Sequence, residues 1–293
     1  MARLKTPQYG QRPWDFGIDC QNPLWDGLLF ANLGQTPSTT LYRDESPAKV
    51  NGILNGYTSS GNYPLNQWQY SNFLQRWALA FNGTGDYVNG VTGIGMPNTV
   101  TVAAWVYVPS SPNASPGGVA GNIMNWQDRI AFNNTDRTFG FINSPNRFLA
   151  QVYVSSNTIA YSPTISPLGA WHHGAWTLSG SYLTCYCDGI AGTPVSHTTG
   201  AYQGFAAPNI QVGASHYGGS TYYWNGSVSD CMAWNRCLSP QEIALLASPS
   251  RSIMLDGALV TPLGRSWMGY SGATASGSNS VPEWYYQQLL GAA

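Results

Sequence analysis

Charged side chains are scarce in this chain of 293 residues, at 9% of the total, where globular proteins usually have about a quarter. Glutamate occurs three times, at Glu45, Glu242 and Glu283, and lysine occurs twice, at Lys5 and Lys49. With a formal net charge of -1, the chain has no positive field to hold a nucleic-acid backbone or an anionic membrane. We therefore expect neither nucleic acid nor membrane as a partner. A neutral, aromatic-rich surface suits sugars or other protein faces.

Long apolar runs are also missing. No stretch approaches the length of a membrane-spanning helix, and the first ten residues lack the apolar core of a secretory signal. These absences predict synthesis and folding in the cytoplasm of the producing cell. The five cysteines have no zinc-binding spacing. We expect unpaired thiols and neither a metal nor another cofactor.

Motifs for catalysis are absent as well. The chain has no Gly-x-Ser-x-Gly elbow, phosphate loop or dinucleotide-binding glycine pattern. Glycoside hydrolysis needs two carboxyl groups on either side of the scissile bond. The closest acidic pairs along the chain are Asp15 with Asp19 and Asp44 with Glu45. We expect a protein that is not an enzyme, with an atypical glycosidase as an alternative if distant carboxylates converge.

Strand patterns dominate what is present. Trp224 to Trp234 alternates with period two, which predicts a strand with Trp224, Val228, Asp230 and Trp234 on one face. Val100 to Val108 is apolar on both faces, as in a central strand. Ser239, Pro240 and Glu242 predict a capped helix start. Many short strands separated by turn residues predict an all-β protein, with two antiparallel sheets packed as a jelly-roll sandwich.

Three ordered motifs resemble laminin-G-like domains of the concanavalin A-like lectin/glucanase superfamily. The closing motif consists of Trp224, Gly226, Val228, Asp230, Asn235, Arg236, Leu238, Ser239, Glu242 and Ile243. The segment from Ala78 to Val88 resembles the family's A-L-x-F-x-G-x-x-D-Y-V turn. The segments Trp171 to Leu178 and Tyr186 to Gly189 resemble its W-H-H strand and the following hairpin. In these segments the resemblance implies structural roles for His172 and His173, which as strand neighbours point to opposite faces.

Residues 1–20 are irregular and the sequence texture changes after Pro249, so we expect an N-terminal arm at residues 1–20, a laminin-G-like sandwich at 21–250 and a C-terminal extension at 251–293. The opening segment, predicted as a first strand from Asn22 to Phe30, resembles laminin-G-like proteins of bacteria and bacteriophages. Tyr57 to Gln75 is interpreted as an exposed loop. The Glu-x-Asp-x-x-Glu motif of the superfamily's glucanases is absent.

The sequence contains candidate residues for two kinds of ligand site, one for calcium and one for sugar. The resemblance makes Asn82, Asp86 and Asp230 calcium candidates, but the shortage of carboxylates favours turn-capping roles. Sugar-stacking candidates are Tyr217, Tyr222, Tyr223 and Trp224. Their alternative roles are a core position for Trp224 and a subunit contact for the tyrosines.

The function predicted from these features is a non-catalytic phage virion component, such as a capsid decoration, spike or fibre-associated subunit. Its expected location is the virion, and its expected partners are other virion proteins and further copies of itself. Aromatic residues in the terminal segments are the predicted docking residues, namely Trp14, Phe16, Trp284, Tyr285 and Tyr286. The alternatives are a carbohydrate-binding module or host-surface adhesin, with cell-surface glycans as partners, and an atypical glycoside hydrolase.

Overall fold

The computed structural model describes residues 23–34, 37–38, 40–57, 67–92, 94, 97–112, 119–128, 137–143, 145–153, 157–197, 208–217 and 220–249. Within the chain, residues 26–252 form one compact unit. The predicted docking residues Trp14, Phe16, Trp284, Tyr285 and Tyr286 lie outside the described residues.

Antiparallel strands make up almost all of the regular structure. In chain order they are β1 (Leu28–Asn32), β2 (Leu41–Tyr42), β3 (Gly52–Asn55), β4 (Trp68–Ser71), β5 (Arg76–Asn82), β6 (Tyr87–Thr92), β7 (Val100–Val108), β8 (Val119–Asp128), β9 (Arg137–Asn143), β10 (Asn146–Tyr153), β11 (Asn157–Tyr161), β12 (Ala170–Leu178), β13 (Tyr182–Cys187), β14 (Ile190–Ala191), β15 (Val195–Ser196), β16 (Pro208–Val212), β17 (Ala214–Tyr217), β18 (Ser220–Tyr223) and β19 (Asn225–Trp234). One helix, α1, spans Pro240–Leu246, and a 3-10 turn spans Pro23–Trp25.

Two large sheets form the predicted sandwich. The nine-stranded sheet has the order β14-β13-β12-β7-β19-β5-β4, with β1 paired to β19 and β15 paired to β13. The eight-stranded sheet has the order β11-β10-β9-β8-β16-β6-β3-β2, and β17 with β18 forms a separate hairpin. The predicted all-β jelly-roll class is confirmed. Among the described residues, no helix is both long and apolar enough to cross a membrane.

The core lies between the two large sheets. Val102, Ala104 and Val106 of β7 belong to it, while β12 and β19 flank β7 on either side. This position confirms the prediction that Val100 to Val108, apolar on both faces, is a central strand. Gly174 of β12 faces the aromatic side chains of the opposite sheet, and a Cβ atom there would lie 2.4 Å from Cζ of Phe139. Glycine at this position therefore lets the two sheets approach closely.

The closing strand differs from its predicted alternation. The register of β19 against β7 shifts between Ser229 and Met232, and Asp230 has a φ of 47°. This β-bulge reverses the strand's faces. Val228 lies in the core before the bulge, and Cys231 and Ala233 lie in the core after it. The prediction that Val228, Asp230 and Trp234 share a face was therefore wrong, because a bulge adds one residue to the period of two.

Two further boundaries are corrected. The predicted first strand from Asn22 to Phe30 begins only at Leu28, because Pro23 to Trp25 forms the 3-10 turn. The segment interpreted as an exposed loop contains β4, which pairs with β5. Trp68 of β4 is 3% exposed and reaches the core, so this part of the chain is a hairpin of the sandwich.

The helix start is capped as predicted. Ser239 Oγ accepts the Glu242 N–H at 3.3 Å, and the Glu242 carboxylate accepts the Ser239 N–H at 2.7 Å. Arg236 makes two hydrogen bonds to the same carboxylate, at 2.7 and 3.1 Å. Leu238 and Ile243 are buried. These contacts therefore hold the start of α1 in place directly after β19.

The thiol prediction is confirmed where it can be checked. The four described cysteines are free, with Cys185, Cys187 and Cys231 buried and Cys237 exposed. Cys20 lies outside the described residues.

Candidate functional site

Most described carboxylates are committed to internal contacts. Asp44 accepts the N–H groups of Ala31, Ser46 and Val50 at 2.8–3.0 Å. Asp188 pairs with His172 at 2.8 Å, and Glu242 pairs with Arg236 at 2.7 Å. These acids stabilise turns and strand ends through their contacts within the chain.

Asp86 and Asn82 close a turn between β5 and β6. Asn82 Oδ1 accepts the N–H groups of Thr84, Gly85 and Asp86, and Asp86 Oδ2 accepts the Asn82 N–H at 3.1 Å. Asp86 is 1% exposed, and burial raises the pKa of its carboxyl group despite the Asn82 hydrogen bond. The geometry agrees with the turn-capping alternative for this pair.

Asp230 has a different role. Its Oδ2 lies 2.8 Å from Nη2 of Arg76, and both side chains are almost fully buried. The charge of the Asp230 carboxylate is thus neutralised by Arg76, so this third calcium candidate does not have the predicted turn-capping role.

The carboxyl group of Glu45 has a strongly raised pKa. Burial raises the pKa of Glu45 to about 7, although its Oε2 accepts the Leu33 N–H at 2.6 Å. The negative charge of Asp230 contributes to the rise in this pKa. A glycosidase needs one protonated and one ionised carboxyl group beside the substrate. Here the ionised partner already forms an ion pair with Arg76.

The predicted sugar-stacking residues are divided between surface and core. Trp224 is 0% exposed and packs edge-on against Phe141 at 6.0 Å between ring centroids, so it offers no face to a ligand. Tyr222 and Tyr223 of β18 are partly exposed, and the Tyr223 ring lies 6.4 Å from that of Tyr87. Tyr217 ends β17. The structure therefore retains Tyr222 and Tyr223 as surface candidates and places Trp224 in the core.

A second aromatic surface lies on the outer face of the nine-stranded sheet. We call it the aromatic strip, defined by the exposed or half-buried rings of Phe73, Tyr107 and Trp171 together with Trp105, which is only 3% exposed. Tyr107 pairs with Trp171 in register, and their rings lie edge-to-face at 5.7 Å. Phe73, 53% exposed, lies edge-to-face on Trp105 at 5.8 Å. Exposed and half-buried rings in this arrangement can stack on a sugar ring or on another protein.

Polar atoms under the strip have no hydrogen-bond partner. Trp105 packs against His173 at 5.4 Å between ring centroids. The Trp105 indole nitrogen and both ring nitrogens of His173 are buried without a partner. Burial lowers the pKa of His173 to about 3, so the ring is neutral near pH 7. Leaving such groups unpaired costs about 1–3 kcal/mol each.

Sequence reasoning missed the strip, although part of its signal was present. Trp105 and Tyr107 are two residues apart, as are Trp171 and His173, so each pair shares a strand face. The pairing of β7 with β12 that brings the two pairs together is nonlocal. Phe73 lies between β4 and β5, in the segment that the sequence predicts as an exposed loop.

The outer face of the eight-stranded sheet has a different character. Asn209 Nδ2 donates to Asn89 Oδ1 at 3.1 Å, and Thr138 Oγ1 donates to Asn125 Oδ1 at 3.3 Å. Asn125, Thr138 and Asn209 are buried. These neutral side chains bond mainly to one another, so they stabilise the sheet and do not form an open binding face.

Comparisons with solved structures find the same fold. Domain 4 of AbnA, an extracellular arabinanase of Geobacillus stearothermophilus solved with arabinotriose, has a TM-score of 0.53 and 14% identity, over 75% of this chain and 98% of that one. The binding domain of botulinum neurotoxin DC in complex with SialylT has a TM-score of 0.52 and 12% identity, over 76% of this chain and 51% of that one. Trypanosoma rangeli sialidase has a TM-score of 0.50 and 14% identity, over 76% of this chain and 32% of that one.

These identities show a shared fold and nothing finer. The chain spans about half the length of the toxin binding domain. A search of curated proteins finds no match.

A family profile gives the more specific result. A laminin-G profile, described as the concanavalin A-like lectin/glucanases superfamily, matches residues 82–244, which is more than half of the chain. The match covers the turn at Asp86, the W-H-H strand and the closing motif, which agrees with the family suggested by those motifs. The chain belongs to the concanavalin A-like lectin/glucanases superfamily.

Proposed function

We propose that this protein is a non-catalytic structural and binding component of a phage virion, such as a capsid decoration, spike or fibre-associated subunit. The observation that carries the non-catalytic part is the commitment of Asp44, Asp86, Asp188, Asp230 and Glu242 to internal hydrogen bonds and ion pairs. Because these five described acids are committed in this way, we infer that the sandwich acts through its surfaces.

Two sequence features support the virion context. The opening segment resembles laminin-G-like proteins of bacteria and bacteriophages, and the low charge leaves little electrostatic repulsion between copies. The aromatic residues near the chain ends, including Trp284 and Tyr286, suit docking on neighbouring subunits.

Mass photometry of the full chain tests the proposal. We expect a defined oligomer, and we expect the combined substitution Trp284→Ala, Tyr285→Ala and Tyr286→Ala to shift it toward monomer. The matched control is Gln287→Ala with Gln288→Ala in the same tail, which should assemble normally. A wild-type chain that stays monomeric, alone and with virion proteins encoded beside it, would refute the assembly role.

Carbohydrate binding is the second candidate, favoured by the aromatic strip. Tyr107 and Trp171 present half-buried rings that lie edge-to-face at 5.7 Å. A sugar stacks on aromatic faces and donates or accepts hydrogen bonds through its hydroxyls. Such a surface would let a virion protein act as a host-surface adhesin.

A glycan array followed by calorimetry tests this second candidate. Binding should fall at least tenfold in Trp171→Ala and should persist in Tyr182→Ala, which removes a ring that is 54% exposed elsewhere on the surface. Equal loss in both variants, or no glycan bound, would exclude the strip as the sugar site. Dye-linked glucans should stay intact, and hydrolysis that is abolished by Glu45→Gln would restore the glycosidase alternative.

A further inference from the structure

We propose that His172, Cys187 and Asp188 form a binding site for one metal ion of the zinc class. The sequence predicted no metal, because no cysteine spacing matches a zinc motif. The structure brings one histidine, one thiol and one carboxylate together through strand pairing. Their donor atoms all lie within 4.8 Å of one another. This inference goes beyond the proposed function and does not depend on it.

Strand register builds the cluster. His172 is in β12, Cys187 is the last residue of β13, and β12 pairs with β13 so that Gly174 is opposite Cys187. Asp188 follows in the turn that leads to β14, with a φ of 50°. The Asp188 N–H donates to the His173 carbonyl at 2.7 Å, which fixes the turn against the strand. The three side chains are therefore held by backbone pairing.

His172 is oriented as a metal-binding histidine. Its Nε2 lies 2.8 Å from the Pro167 carbonyl oxygen, which can only accept, so Nε2 carries a proton. Its Nδ1 points to Asp188 Oδ2, also at 2.8 Å. Histidines that bind metals usually donate their second ring N–H to a carbonyl or carboxylate. Pro167 supplies that contact and leaves Nδ1 directed into the cluster.

Two of the donor distances are close to those of tetrahedral coordination, and the third is within 4.8 Å. Zinc bonds of about 2.0–2.3 Å to nitrogen, oxygen and sulfur, at tetrahedral angles, place the donors about 3.3–3.6 Å apart. Cys187 Sγ and Asp188 Oδ2 are already 3.5 Å apart. The 2.8 Å contact between His172 and Asp188 would open by about 0.5 Å as the metal replaces the proton on Nδ1.

The donor set determines the class of ion. A thiolate with an imidazole suits zinc and other borderline metals, whereas calcium and magnesium require oxygen ligands. Three protein ligands leave a fourth position for water or a ligand atom. The Asp188 side chain is 44% exposed, so an ion can enter from solvent, while His172 and Cys187 are buried.

Titration of the full metal-free chain with Zn²⁺ alone, and with Co²⁺ as a spectroscopic probe, tests the site. Both are done in a Cys237→Ser background, because that thiol is exposed. We expect one ion per chain, a thiolate-to-cobalt absorption band and a higher melting temperature with Zn²⁺. Cys187→Ala should weaken binding by at least about 100-fold, more than the loss of a residue that only orients a ligand.

Cys185→Ala is the matched control. It removes another buried thiol from the same strand face and should leave metal binding unchanged. Asp188→Asn is a second variant, since asparagine tolerates the positive φ, and it should weaken binding because an amide oxygen is a poorer zinc ligand than a carboxylate. No Zn²⁺ uptake by the Cys237→Ser chain, or uptake that survives Cys187→Ala, would overturn the proposal.

Discussion

Asp230→Asn is expected to destabilise the sandwich strongly. Arg76 and Asp230 lie 2.8 Å apart with side chains 2% and 4% exposed. Asparagine keeps the shape of aspartate and tolerates the φ of 47° at the bulge. It removes the negative charge and leaves the Arg76 guanidinium buried without its counter-charge. Breaking a buried pair in this way costs about 3–5 kcal/mol.

Thermal unfolding followed by circular dichroism measures this cost. For a domain of this size, about 2–4 °C is lost per kcal/mol, so the melting temperature should fall by about 6–20 °C. Asp26→Asn is the matched control, because that side chain is 88% exposed and lies 4.0 Å from Arg236. It should change stability by no more than about 0.5 kcal/mol.

A double-mutant cycle separates the pair from its surroundings. Arg76→Met should also destabilise, and the double variant Arg76→Met with Asp230→Asn should lose less than the sum of the single losses. Additive losses, or an Asp230→Asn variant as stable as Asp26→Asn, would refute the role assigned to the pair. Since Asp230 is already neutralised, calcium should leave the wild-type melting temperature unchanged.

Three smaller perturbations test other parts of the structure. The pKa of Glu45 is raised from 4.5 to about 7 in the folded state, so stability should fall as the pH rises from 4.5 to 7. Glu45→Gln should flatten this pH dependence of the melting temperature. A pH dependence that is the same in the variant would contradict the raised pKa. Ser239→Ala should cost about 1 kcal/mol in urea unfolding through loss of the helix cap, and an unchanged midpoint would show that the serine is not needed. Gly174→Ala places a methyl group 2.4 Å from Phe139 and should cost about 1–3 kcal/mol, whereas a neutral effect would mean that the sheets separate easily.

Local signals were sufficient for the architecture. The apolar run of β7 and the capping box at Ser239 are patterns within a few neighbouring residues, and the structure confirms both. The shortage of carboxylates was likewise visible in the composition. Period two and cap chemistry depend on backbone geometry that each residue shares with its neighbours, so they can be read from a single chain.

Contacts between distant strands decided the rest. The bulge at Asp230 reversed the faces of the closing strand, because one inserted residue shifts every later side chain to the opposite side. The aromatic strip needed the register of Tyr107 with Trp171, and the His172–Cys187–Asp188 cluster needed the register of β12 with β13. Composition and periodicity determined that this chain is a neutral two-sheet sandwich. Only the tertiary structure decided which side chains meet, because pairing register is a property of two strands together.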